Sequence, residues 1–255
     1  MDGLERVGRY AFPLEDVRQA LALNATTLEK ALQRLCGKGR LVRVRRGFYA
    51  LVPLAYSAAG CVPAEWFLSD LMKHLGSPYY LGCLSAAVLH GAAHQHPQEL
   101  QVVVPDHLRR VDTPVLRIRF LRFAGMAAAL TQPHRTQTGD IPVSTAEWTA
   151  IDLMRFQSHY GSLDAAATVL TELAEVLDAE KIVAAASHEP CNAYLQRLGW
   201  MLDFLGRQAL AAPLAAVVRG RKPVYVPLNP SLKRRNGKRD TRWMIMVNEE
   251  PESDL

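Results

Sequence analysis

The chain has 255 residues, 49% of them hydrophobic, and a formal net charge of +5. That size and composition allow a well-filled core, in one large domain or two ordinary ones. No apolar run reaches the ~18 residues of a membrane span and the N-terminus lacks an apolar signal core, so a cytoplasmic protein with no membrane contact is expected.

Residues 2–9 can form a short helix on Leu4 and Val7. FPLEDVRQALAL (12–23) sets Leu14, Val17 and Leu21 at i, i+3 and i+7, which predicts a helix with Pro13 in its first turn. NATTLEKALQRLC (24–36) repeats the pattern with Leu28, Ala31, Leu32 and Leu35. Asn24 is its candidate N-cap, Thr26 and Glu29 have capping-box spacing, and Gly37 and Gly39 end it. Thr26, Thr27, Lys30, Gln33 and Arg34 share the face opposite the apolar stripe. GKGRLVRVRRGFYAL (37–51) then interleaves Lys38, Arg40, Arg43, Arg45 and Arg46 with Leu41, Val42, Val44, Phe48 and Tyr49. This predicts a basic β-hairpin pivoting near Gly47.

Helix, turn, helix and basic hairpin, in that order, is the layout of a winged helix-turn-helix. The second helix of such a unit enters the major groove of duplex DNA, where base edges are distinguishable, and the flanking parts grip phosphates. Thr26, Thr27, Lys30, Gln33, Arg34, Lys38, Arg40, Arg43, Arg45 and Arg46 are therefore the candidate DNA-binding residues. The competing reading is an ordinary surface hairpin with solvated arginines. Charge along the chain favours an anionic partner. Residues 1–52 carry ten Lys/Arg against five Asp/Glu, residues 53–218 eleven against fifteen, and residues 219–255 nine against five.

VPLAYSAAGCVP, rich in prolines and small residues, reads as a linker over 53–62. Beyond it PAEWFLSDLMKHLG (63–76) and LGCLSAAVLHGAAHQHPQ (81–98) read as helices, the second ending near Gly91. ELQVVVP (99–105) and VLRIRFLRF (115–123) read as strands. STAEWTAIDLMRFQ (144–157), with a cap-like Ser144, opens a run of helices that continues through LDAAATVLTELAEVLD, DAEKIVAAAS, AYLQRLGWMLDFLG and LAAPLAAVVRG, with Pro213 near the start of the last. KPVYVPL and RWMIMVN are short strand candidates. The expected organisation is a winged helix-turn-helix at 1–52, a linker at 53–62 and a larger mixed α/β domain at 63–255, of α+β class.

Chemistry is sparse. GxSxG, GxxxxGK[ST] and a GxGxxG after a strand are all absent. His90, His94 and His96 are a tempting zinc set, but Gly91 and Pro97 interrupt the helix that would align them and no HExxH accompanies them. Helix-end or hydrogen-bonded histidines are the better reading. Cys36, Cys61, Cys83 and Cys191 form no CxxC pair and suit reduced core positions. No catalytic residue, metal or cofactor is expected. LKRRNGKR (232–239) reads first as a solvated loop, with phosphate, toxin or RNA contact as alternatives.

GKGRLVRVRRGFYAL, PAEWFLSDLMKHLGSPYYLGCLSAAVLHGAAHQHPQ, VSTAEWTAIDLMRF and the terminal RWMIMVN resemble the AbiEi-type antitoxins, described as transcriptional regulators of viral defence systems. The resemblance runs from about residue 10 to residue 248. It implies a winged helix that represses its own operon by binding inverted repeats as two copies. It also implies a C-terminal domain that opposes a nucleotidyltransferase-like toxin, as type IV systems do without a required stable complex. The alternative is a winged-helix regulator whose C-terminal domain senses a small ligand.

Overall fold

A computed structural model describes residues 2–21, 24–92, 97–159, 163–232 and 237–252, and among them the protein is mixed α/β, with ten α-helices and three sheets. The N-terminal part runs α1 (Asp2–Arg6), β1 (Ala11–Pro13), α2 (Leu14–Leu21), α3 (Ala25–Gly37), β2 (Leu41–Arg45) and β3 (Phe48–Leu51). Leu4 packs on the core, whereas Val7 is 73% exposed. Phe12 and Pro13, expected at the start of a helix, lie in a strand instead. β1 pairs antiparallel with β3, Phe12 opposite Tyr49, and the two rings stack 5.9 Å apart. α2 starts one residue after Pro13, where the Leu14 N–H donates to the Gly47 carbonyl at 2.8 Å.

Next come α4 (Leu68–Leu75), β4 (Tyr80–Leu81), α5 (Cys83–Leu89), β5 (Leu100–Val104), β6 (Val111–Thr113), β7 (Leu116–Arg122), β8 (Thr131–Thr136) and β9 (Gly139–Ser144). A helical half follows, with α6 (Ala146–Arg155), α7 (Leu163–Leu173), α8 (Ala179–His188), α9 (Asn192–Phe204) and α10 (Gln208–Gly220), then β10 (Val226–Pro227), β11 (Lys238–Asp240) and β12 (Ile245–Val247). The cap of α6 is Thr145, whose side chain accepts from the Trp148 N–H, not Ser144. Ser144 is fully buried at the end of β9, its hydroxyl 2.7 Å from that of Thr149. Pro213 lies inside α10 and not in its first turn.

The chain divides into two compact units, each assembled from more than one segment. One unit comprises Met1–Tyr80, Gln98–Ala124 and Pro133–Pro142; the other comprises Leu81–Pro97, Gly125–Gln132 and Val143–Leu255. In the first unit the sheet β1-β3-β2 packs on α2 and α3, and β5 pairs parallel with β7, which pairs antiparallel with β6. Residues 53–62, expected as a linker, are held within it. Leu54–Tyr56 make a 3-10 turn, Tyr56 meets Trp66 edge to face at 5.2 Å, and Val62 is buried. Gly60, at φ +73°, sits so close to Val115 that a Cβ there would lie 2.7 Å from its Cγ1.

In the second unit α6 and α9 are buried on every side, from Glu147 to Met154 and from Leu195 to Leu202. Helices apolar on one stripe sit at a surface; these two are core helices and carry polar groups inward, each with a partner. Gln196 Nε2 donates to the carbonyls of Val224 and Trp243 at 2.9 Å, and Arg197 Nε donates to Pro227 at 3.0 Å, so α9 holds the C-terminal strands through side chains. Gly199 gives Trp243 its seat, since a Cβ at 199 would fall 2.1 Å from the indole ring. All four cysteines are free, and burial pushes the Cys61 thiol up to about 11, which keeps it protonated at neutral pH.

Candidate nucleic-acid interface

α3 is built by its cap and its stripe. Asn24 has extended backbone and its side chain accepts from the Thr27 N–H at 2.8 Å, satisfying one of the open donors of the first turn. Leu28 and Leu32 turn inward, 3% and 5% exposed, onto Phe12, Leu41, Tyr49 and Leu51. That fixes the rotation of the helix, and Thr26, Thr27, Lys30, Gln33 and Arg34 all lie exposed on its outer side. Lys38 is the C-cap, exposed, its N–H bonded to the Arg34 carbonyl, and Gly39 at φ +64° turns the chain into β2. The sequence reading of this face therefore has its geometric precondition: ten candidate residues, eight of them exposed, with Arg40 and Arg45 half-buried.

The hairpin distributes its arginines differently from a regular strand. Residues two apart on a strand share a face, which would align Arg43 with Arg45. Here Arg43 faces Tyr49 and Arg45 faces Phe48, so the register shifts between them and Val44 is the extra residue of a bulge. Arg43 and Arg46 consequently line a groove of about 580 Å³ beside α3, together with Glu29, Gln33 and Cys36. Leu14, Glu15 and Arg18 of α2 form its other wall. Burial raises the Cys36 thiol and the Tyr49 phenol there, and the Arg43 charge pulls both partly back. Arg45 leaves this group. Its guanidinium lies 5.9 Å from the Phe120 ring centre of β7.

The remaining sequence candidates are scattered. His90 caps α5 and its Nε2–H donates to the Ser144 carbonyl at 2.8 Å, a bond between two segments of the second unit. His94, His96 and the centre of the basic run, 233–236, lie outside the described residues. Among the described residues no three His, Cys, Asp or Glu side chains gather in a metal-binding set, and no helix is long and apolar enough to cross a membrane. The bulge, the α2 wall of the groove and the neighbours of Arg45 were not read from the sequence. A bulge leaves only a doubled arginine before the turn glycine as its trace, and the others are brought in by tertiary packing.

Comparison with known proteins adds a family match to this geometry. Residues 80–204 match the model of the AbiEi antitoxin C-terminal domain. The crystal structure of the RV2827C protein from Mycobacterium tuberculosis superposes with a TM-score of 0.66 at 17% identity, covering 96% of this chain and 88% of that one. At that identity the likeness is one of fold. An antigenic nucleotidyltransferase-like protein from Paracoccidioides brasiliensis covers 58% of this chain and 89% of its own at 13% identity, with a TM-score of 0.36 that carries no argument. No curated protein matches the chain.

Proposed function

Because residues 80–204 belong to the AbiEi antitoxin C-terminal domain family, we propose that the chain is the antitoxin of a toxin–antitoxin pair and represses its own operon through residues 1–52. In this reading α2 and α3 with the hairpin β2–β3 form a winged helix-turn-helix on double-stranded DNA. Residues 53–62 connect that part to an antitoxin domain at 63–255, which opposes a nucleotidyltransferase-like toxin in the cytoplasm. The observation that carries the DNA part is the uninterrupted polar face of α3, which is uncharged or cationic except at Glu29 on its edge. A groove-reading helix needs such a face, and an antitoxin domain alone does not. One winged helix reads few base pairs, so two copies on an inverted repeat are expected.

The wing tip and the helix should fail in different ways. Replacing Arg43 and Arg46 by alanine is expected to weaken binding to all duplexes alike. If each holds one phosphate, the slope of log affinity against log salt falls by roughly 1.8. An unchanged slope would remove the hairpin tip from the backbone. Replacing Gln33 or Arg34 should cost ~1–3 kcal/mol on the operator and little on random DNA, if either reads a base edge. Equal losses on both would move that residue to a phosphate.

The antitoxin part is tested by growth. Cells expressing the nucleotidyltransferase-like toxin expected beside this chain are compared alone, with the intact chain, and with the Arg43→Ala/Arg46→Ala chain, all from promoters this protein does not repress. Rescue by both chains is expected, because neutralisation is assigned to other residues. A toxic neighbour that neither chain rescues overturns the antitoxin reading and leaves a regulator of some other signal.

A further inference from the structure

The groove between α2, α3 and the hairpin tip has more apolar depth than a phosphate track uses. Leu28 and Leu32 lie buried at its floor and Leu14 half-buried on its α2 side, all three lining the same cavity. Tyr49 lines it as well. The residue is 8% exposed, and its hydroxyl reaches solvent with no hydrogen-bond partner among the described residues. The space of about 580 Å³ is that of a small-molecule site, an apolar hollow with a few convergent polar groups. A DNA backbone leaves such a hollow empty, because phosphates are met by exposed cations and not by a leucine floor.

The charges around the hollow are unequal. Glu15 lies 3.6 Å from Arg18 and also accepts from Gln19, so the α2 wall neutralises itself. Arg43 and Arg46 are exposed, line the groove, and form no ion pair among the described residues. Glu29 on α3 is the remaining carboxylate of the lining, and no described cation pairs with it. Two free guanidinium groups against one free carboxylate leave an apolar hollow with a cationic rim. A ligand that answers both features has an apolar body and one anionic head, and a carboxylate matches the guanidinium fork.

We propose that this groove binds a small amphipathic carboxylate, its apolar body on Leu14, Leu28, Leu32 and the Tyr49 ring and its carboxylate on Arg43 and Arg46. On the DNA-binding reading above, the same two arginines hold the backbone. Ligand and duplex then exclude each other, and the groove is an effector site inside the DNA-binding part itself. The competition rests on that reading; binding of the ligand in the absence of DNA does not.

The test is calorimetric titration of the intact protein, free of DNA, with cinnamate and with its uncharged counterpart cinnamamide. Cinnamate is expected to saturate one site per chain. Cinnamamide should bind at least about tenfold more weakly, the loss of a charge-assisted hydrogen bond. In Arg43→Ala/Arg46→Ala, cinnamate should fall to the cinnamamide level while cinnamamide keeps its affinity, which shows that the hollow still forms. Glu29→Gln removes the opposing charge and should tighten cinnamate alone; it decides the matter where the double variant loses both compounds. No saturable binding at millimolar concentrations, equal affinities of the two compounds for the intact chain, or cinnamate binding untouched by these variants overturns the site. A second titration, of a random-sequence duplex at constant ionic strength, should give a higher apparent Kd with saturating cinnamate than without it. Equal values overturn the competition. A chain that binds no duplex at all overturns the DNA-binding reading and leaves the groove to be decided by the calorimetry.

Discussion

Arg155→Ala is expected to destabilise the helical unit by about 3–5 kcal/mol, the range for removing one partner of a buried ion pair. Arg155 on α6 pairs with Asp152 one turn earlier and with Glu189 just beyond α8, its side chain 4% exposed and both carboxylates fully buried. Its guanidinium also lies against Trp148 at 5.2 Å, Tyr194 at 5.5 Å and Phe156 at 5.9 Å. Alanine would leave two carboxylates in the core with their cation gone, and would open a void between three rings. Lysine should recover only part of the loss, because it lacks the planar fork that serves two carboxylates at once. The measurement is the denaturant midpoint at neutral pH. A loss below about 1 kcal/mol would mean that the cluster has no more weight than an exposed pair.

The second large effect is expected at Trp243. Trp243→Ala should cost about 3–5 kcal/mol, as large core deletions do. The ring is fully buried, its Nε1–H donates to Asp203 Oδ2 at 2.6 Å, and it rests on the bare backbone of Gly199. Gly199→Ala attacks the same contact from the other side. It gains a little helix propensity but drives a methyl group into the indole, a net loss of roughly 1–3 kcal/mol. The two changes should be strongly non-additive: in the Trp243→Ala background the methyl has room, and Gly199→Ala becomes close to neutral. Additive losses would show that the ring and the glycine are not coupled. The same contact bears on where the folded unit ends. The family match stops at residue 204, yet Gly199, Gln196 and Arg197 on α9 need residues 224–244 to be complete. A chain cut after Phe204 is expected to lose its cooperative unfolding transition.

What could be read from the sequence was what repeats locally. The stripe Leu28–Leu32 and the cap Asn24 specify α3 within one helical period, and Gly47 marks the hairpin turn. Most of the helical half announced itself in the same way. The failures share a different cause. Phe12 and Pro13 fit a helix start by propensity, but β3 offered strand partners 35 and 37 residues away, Pro13 opposite Phe48 at the near end. β8 went unread because its face is largely exposed, with no apolar alternation to announce a strand. Glu147 and Gln196 look like surface residues until their partners, 28 to 48 positions distant, come into view. The candidate interface was legible as a set of residues and illegible as a surface, since a single extra residue in β2 decides that Arg45 parts company with Arg43.

The chain crosses from one compact unit to the other five times, and the first unit is not complete until Pro142. On a ribosome adding about 5–20 residues per second, the segment bearing all ten candidate DNA contacts emerges early with its own sheet β1-β3-β2, but residues 98–124 and 133–142 of the same unit are still unmade. A premature stop or a clipped nascent chain before residue 142 therefore releases the contact residues without the unit that orients them. Such a fragment should fail to occupy an operator, so on the DNA-binding reading repression would report that translation has passed residue 142. The same interleaving means that recombination lifting the N-terminal 52 residues onto another protein as a cassette leaves behind residues 53–80, 98–124 and 133–142 of their unit.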